Sequence, residues 1–132
     1  MTEQTMTIRE MCNTFDVTPR TLRFYEAKEL LAPIREGTKR LFTRRDRARL
    51  KLILRGKRFG FSLEEIRQLL ELYDIGDCQT TQLRKTREIG QKHLDGMIAQ
   101  RDELASAIED LRDQLTWADQ ILADTETHQA AQ

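Results

Sequence analysis

Arg20, Thr21, Arg23 and Tyr25 bring two cations, a hydroxyl and a phenol into two helical turns, immediately after Thr18 and Pro19. Such side chains donate hydrogen bonds to anionic and carbonyl oxygens, so the chemistry on offer is non-covalent recognition of phosphates and base edges. Thr18 can cap a helix with its hydroxyl, and Pro19 at the first helical position gives up no needed donor. The positive end of the helix dipole adds to the cations. Residues 17–31 therefore predict a short helix with a cationic exposed side, a form that fits a DNA groove.

That helix needs elements to hold it. Thr7 and Glu10 have capping-box spacing, and Ile8, Met11 and Phe15 recur at helical intervals, so a supporting helix precedes it across a turn at Asp16 and Val17. After it, Gly37 separates two short runs that can pair as a hairpin carrying Arg35, Lys39 and Arg40, a basic wing beside a helix-turn-helix. Thr43 and Asp46 open a third helix whose Leu50, Ile53 and Leu54 face inward. Ser62 and Glu65 cap a fourth whose apolar stripe is Ile66, Leu69, Leu70 and Tyr73. Arg44, Arg45, Arg47, Arg49, Lys51, Arg55 and Lys57 read as a solvated face that raises the local potential whether or not it touches DNA.

Over residues 7–72 the chain resembles the DNA-binding domain of the MerR family of bacterial transcription regulators. The likeness rests on Thr7-Ile8, on Thr21-Leu22-Arg23-Phe24-Tyr25-Glu26, on Leu30-Leu31 followed by Pro33, on Arg40 in the wing, and on Gly60-Phe61-Ser62-Leu63-Glu64-Glu65-Ile66. Residues 46–57 and 72–74 look more like the branch that regulates branched-chain amino-acid and acyl-CoA catabolism. Two features depart from the family pattern. Glu29 stands where a glycine usually ends the recognition helix, which predicts strain if that residue is left-handed, and Phe24 and Phe42 lack a hydroxyl that tyrosine often supplies.

The net charge of zero conceals a division: residues 1–61 hold fifteen Lys and Arg against seven Asp and Glu, and the remainder reverses those numbers. A half at plus eight suits a nucleic-acid surface, and a half at minus eight implies a separate task. From residue 80 to 122 there is no proline, and a heptad register places Leu94, Arg101, Ile108, Leu115 and Leu122 at a, with Met97, Leu104, Leu111 and Ala118 at d. Eight of these nine core positions are apolar, and Ile98, Ala105, Ala107 and Ile121 widen the stripe at e and g. A helix of about 60 Å, at 1.5 Å per residue, cannot be covered by so small a domain, so a second copy is expected to bury it. The lone seam charge, Arg101, is expected to reach Asp102 or Glu103 of that copy.

The expected fold is mainly α: a winged helix-turn-helix DNA-binding domain (1–75), a linker (76–79), a dimerisation coiled-coil helix (80–123) and a flexible tail (124–132). Two protomers would present two recognition helices to an inverted-repeat operator. The resemblance implies antiparallel helices and action within a promoter, where bending and untwisting double-stranded DNA realigns the elements read by RNA polymerase. In that scheme Thr18, which opens the recognition helix, is counted with the DNA-binding residues, and Arg20 and Thr21 meet base edges. Arg23, Tyr25, Arg35, Lys39 and Arg40 meet phosphates, and about six neutralised phosphates predict a thousandfold loss of affinity between low and near-physiological salt.

No signal peptide or membrane span is visible, which predicts a cytoplasmic protein on the nucleoid. No catalytic site is expected: His93 and His128 lie on the coil and tail, and no glycine-rich loop or paired nucleophile and base occurs. No cofactor or metal is expected either. By resemblance, metal-sensing relatives use cysteines at the start of the dimer helix and in a later loop; Cys78 suits the first place and nothing the second, so a thiol or metal response through Cys78 stands as an alternative. Cys12 reads as a small core residue. The favoured effector is a small metabolite such as an acyl-CoA at the dimer interface. Trp117, outward on the coil, would line such a pocket or cover the partner's scaffold helix, the latter being favoured. A coiled-coil scaffold without DNA binding is the remaining rival, and it leaves the plus-eight half without a purpose.

Overall fold

Three reciprocal caps set where the helices of the first half begin. The Thr7 hydroxyl accepts from the Glu10 amide while Glu10 accepts from the Thr7 amide, opening α1 (Ile8–Phe15). Thr43 and Asp46 do the same for α3 (Arg44–Arg58), and Ser62 and Glu65 for α4 (Leu63–Asp74). Between α1 and α2 (Pro19–Ala27), Asp16 turns left-handed at φ 55 and its amide closes on the Cys12 carbonyl. Thr18 caps α2 through the Thr21 amide, with Pro19 opening the first turn.

Strands β1 (Ile34–Glu36) and β2 (Lys39–Leu41) pair antiparallel around a two-residue turn in which Gly37 takes φ 64, a conformation that glycine adopts without strain. Met6 bridges Phe42 beside them. The computed structural model describes residues 4–74 and 80–130, and its last helix, α5, runs Thr80–Ala130. Cys78 and the linker expected at 76–79 lie outside the described residues. No described helix is long and apolar enough to cross a membrane.

The core is small and complete. Met11 from α1, Leu22 and Tyr25 from α2, Leu30 and Leu31 after it, Phe42, Leu50 and Ile53 from α3, and Ile66 and Leu70 from α4 form one buried cluster. Ile8, Cys12, Phe15 and Val17 pack against its edge. Within α4 the inward residue is Leu72, not Tyr73, which stands 62% exposed. Position 73 is a full turn beyond Leu70 on the shoulder of the stripe, where a phenol is better left in water.

The chain divides into two units at Gly90 and Gln91, later than the 76–79 linker expected from the sequence. The first turns of α5 belong with the N-terminal unit: Gln82, Lys85 and Thr86 share a groove with Gln68 and Glu71 of α4. The helix also continues through most of the segment expected as a tail, to Ala130, because no proline or glycine interrupts residues 123–130.

In the second unit the a and d residues Leu94, Met97, Leu104, Ile108, Leu111, Leu115 and Leu122 are all exposed, and Ala118 is half-buried. Arg101 lies against Asp102 of its own chain at 3.2 Å. Trp117 is exposed too.

Candidate nucleic-acid interface

Helix α2 is held from three sides by charged side chains that reach it from elsewhere. At its end the Arg67 guanidinium of α4 donates to the Lys28 carbonyl at 2.7 Å, and the Arg49 Nε of α3 donates to the Leu30 carbonyl at 2.7 Å. The first caps the end of α2, where a helix leaves its carbonyls without partners, and the second pins the exit that follows it. They also flank the sharp exit at Glu29, which is left-handed at φ 61, so the condition for strain on this non-glycine residue is met. On the wing side Glu26 accepts from Arg35 Nε at 3.1 Å and Nη2 at 2.7 Å on one oxygen, and from Arg40 Nε at 2.6 Å on the other.

The wing explains the need for Glu26. Its register sets Arg35 directly opposite Arg40, two like charges across a two-stranded hairpin too small to be stable alone. A carboxylate from α2 removes the repulsion and ties hairpin to helix. Burial pushes Glu26 upward in pKa, but the hydrogen bonds and charges of Arg40 and Arg35 outweigh it and hold the carboxyl below its ordinary value. Asp74 is lowered in the same way at the end of α4, where burial is outweighed by Arg45 and Arg49. Asp46 is buried and fully used, accepting from the Ala32 amide as well as from the Thr43 amide and hydroxyl, so it fixes the segment between α2 and the wing.

These ties change the roles read from sequence. Thr18 is occupied as the cap and shares a hydrogen bond with the Thr21 hydroxyl at 2.9 Å. Arg20 and Arg23 are exposed on α2, and Lys39 is exposed at the start of β2. Tyr25, expected on a phosphate, is 3% exposed and belongs to the core, because its position on α2 follows Leu22 by three residues on the packed face. Arg35 and Arg40, also expected on phosphates, are engaged by Glu26; Arg40 is largely covered, and Arg35 keeps about half its side chain in solvent.

Beside α2 an open cleft of about 420 Å³ runs between Arg20, Thr21 and Phe24 on one wall and Lys57, Phe61 and Leu63 on the other. Lys28 lies over the exposed Phe24 ring at 5.7 Å. The arrangement can do one kind of chemistry well: a rigid helix offers cations and a hydroxyl to an anionic surface, with a second cationic element fixed alongside. Among the described residues no group of three or more His, Cys, Asp or Glu is placed to hold a metal ion.

Sequence reasoning missed Glu26, Arg49, Arg67 and the outer reach of Asp46. A signal for Glu26 existed: once the turn at Gly37 sets the register, Arg35 must face Arg40 and a counter-charge is required. Arg49 and Arg67 had none, since their acceptors are backbone carbonyls nineteen and thirty-nine residues away.

Comparison with known proteins agrees with this geometry. Residues 6–72 match the family model described as MerR HTH family regulatory protein, and residues 47–116 match that described as MerR, DNA binding. The chain belongs to the MerR family. The HTH-type transcriptional regulator ZntR of Escherichia coli K12 is 38% identical over 101 residues, covering 75% of this chain and 70% of that one. The MerR family regulator HiNmlR, lacking its sensor domain and bound to promoter DNA, is 28% identical with a TM-score of 0.62, over 78% of this chain and 80% of that one. PbrR691 of Ralstonia metallidurans CH34, solved in complex with lead(II), is 31% identical with a TM-score of 0.61, over 81% and 85%. The chain is thus a DNA-binding transcriptional regulator of the MerR type. The finer likeness to regulators of branched-chain amino-acid and acyl-CoA catabolism receives no support from these relatives.

Proposed function

We propose that two copies of this chain pair through α5 and place two α2 helices on an inverted-repeat operator within a promoter. The observation that carries this reading is the uncovered stripe of α5: seven large apolar residues at a and d stand in solvent on a helix about 75 Å long, by the rise of 1.5 Å per residue. A second α5 covers such a stripe, and its symmetry doubles the cationic head. Arg20 and Thr21 read base edges from α2, while Arg23 and Lys39 contact phosphates. Bending and untwisting of the operator alters its reading by RNA polymerase, with wing contacts offsetting the deformation cost. The protein works on chromosomal DNA in the cytoplasm.

The effector is a small metabolite bound between the two copies; the likeness that singled out an acyl-CoA has no support among the relatives. A metal or thiol response through Cys78 has one observation in its favour, the relative PbrR691 solved with lead(II). If it holds, lead(II) or a thiol oxidant changes operator binding or transcription by the native chain and not by Cys78→Ser; identical responses reject it.

Selecting bound duplexes from a random pool tests the main reading. Inverted half-sites are the expected product; selection of unpaired half-sites rejects the dimeric mode. On a selected site, Arg20→Ala should relax base preference by about 1–3 kcal/mol, whereas Arg23→Ala should weaken all sequences alike and flatten the salt slope by about one. Equal effects on every sequence would overturn that division.

A further inference from the structure

The carboxylate that ties wing to helix carries a consequence for binding itself. Of the five N–H groups of the Arg35 guanidinium, Glu26 takes the one on Nε and one on Nη2. Three remain, on a side chain that is 52% exposed and has no second partner among the described residues. The other oxygen of Glu26 is held by Arg40, whose side chain is only 22% exposed, so the carboxylate cannot swing with Arg35. A planar guanidinium gripped along its Nε and Nη2 edge by an anchored carboxylate presents its remaining Nη1 and Nη2 end in one direction.

We propose that Glu26 is a positioning residue for DNA binding, acting through Arg35: it aims the free edge of that guanidinium at the sugar-phosphate backbone flanking the bases read by α2. Arg40 serves as the anchor and not as a contact. The inference deepens the assignment of the wing to phosphates and rests on the DNA-binding reading. It replaces three equivalent wing cations by one oriented contact at Arg35, one exposed contact at Lys39 and one internal brace at Arg40. An acidic residue therefore strengthens binding to a polyanion, because fixing the donor beforehand removes the entropy loss of ordering a long side chain on contact.

The sign of one experiment separates this from simple electrostatics. Removing a negative charge beside DNA should, by charge alone, tighten binding and steepen its salt dependence. Positioning predicts the opposite. Glu26→Gln, measured on a duplex selected by the native chain, should bind roughly tenfold more weakly with a shallower salt slope, and hydroxyl-radical protection should disappear at the outer flank of each half-site while the centre stays protected. Glu26→Asp keeps the charge but not the reach to both arginines, and should lose affinity as well. Arg35→Lys keeps the wing charge and leaves the Glu26–Arg40 anchor in place, so it tests the oriented edge even if the Glu26 variants fold poorly; it should lose about as much affinity and the same flank protection. Tighter or unchanged binding by Glu26→Gln, or unchanged binding by Arg35→Lys, would overturn the proposal. Failure of the native chain to bind any duplex would instead strike the DNA-binding reading beneath it.

Discussion

Leucines 22, 30, 31, 50, 70 and 72 are buried, whereas leucines 94, 104, 111, 115 and 122 stand in solvent. The residue type is the same on both sides of the division at Gly90; what differs is the set of neighbours each unit supplies. In the N-terminal unit four helices and a hairpin meet around Phe42 and Leu50, and apolar area leaves water within one chain. In the C-terminal unit a single helix has nothing of its own to pack on. The apolar surface that makes the first unit a fold stays in solvent on the second, because burial stabilises only where a second surface arrives.

The charges divide in the same way. Several cations of the first unit are tied to particular acceptors far along the chain, as Arg49 is to Leu30 and Asp74 and Arg67 to Lys28, and these ties hold the end of α2. Along α5 the side-chain pairs Gln91 to Asp95 and Arg101 to Asp102 link near neighbours. The first, at i,i+4, helps a helix slightly, and neither pair orients anything beyond α5.

The sharpest break in this contrast is Ile108→Glu. It should turn dimers into monomers and weaken operator binding by at least roughly a hundredfold, since a charge placed in an apolar seam finds no partner. Sedimentation equilibrium checks the first effect and gel shift the second, while the unfolding of the N-terminal unit stays unchanged; a variant that remains dimeric contradicts the register.

Next in size, Leu50→Ala should cost about 3 kcal/mol in chemical denaturation by leaving a cavity in the core. Leu104→Ala should leave that N-terminal transition unmoved and act only on association. Equal losses from both changes in that transition would erase the distinction between units.

Gly56→Ala sharpens the packing side. A Cβ there would lie 2.9 Å from Cγ1 of Ile66, a stiff β-branched side chain in the core, so the gain in helix propensity should be outweighed and stability should fall by about 1 kcal/mol. A stabilised variant would show that α3 and α4 part easily.

The smallest effect is on acid stability. Glu26 and Asp74 lie below their ordinary values of 4.5 and 3.8, so each contributes stability that is complete above those values and is lost as pH falls through its lower folded value. The stability difference between the native chain and Glu26→Gln or Asp74→Asn should be constant near neutrality and shrink below about pH 4.5. A constant difference down to pH 2 would mean the arginine ties do not favour the charged carboxylates.

Much of the fold was legible because its signals are local. A capping box spans three residues, a helical stripe repeats every three or four, and a glycine between short strands sets a turn, so α1, α2, the wing, α3 and α4 follow from nearby residues. The heptads of α5 were legible for the same reason. The roles of individual side chains were less so: Tyr25 and Arg35 both carry groups that suit phosphate, and no local rule says that one will be buried and the other claimed by Glu26.

By itself, then, the amino-acid order determined which segments become helix or hairpin, which half is cationic and which stripe stays apolar, since these depend on spacing along the chain. The tertiary structure alone decided that Arg40 braces where Lys39 is free, that Tyr25 packs inside, and that Arg49 and Arg67 clamp the end of α2. Those outcomes depend on groups far apart in sequence arriving within 3 Å of one another, and only the packed core brings them there.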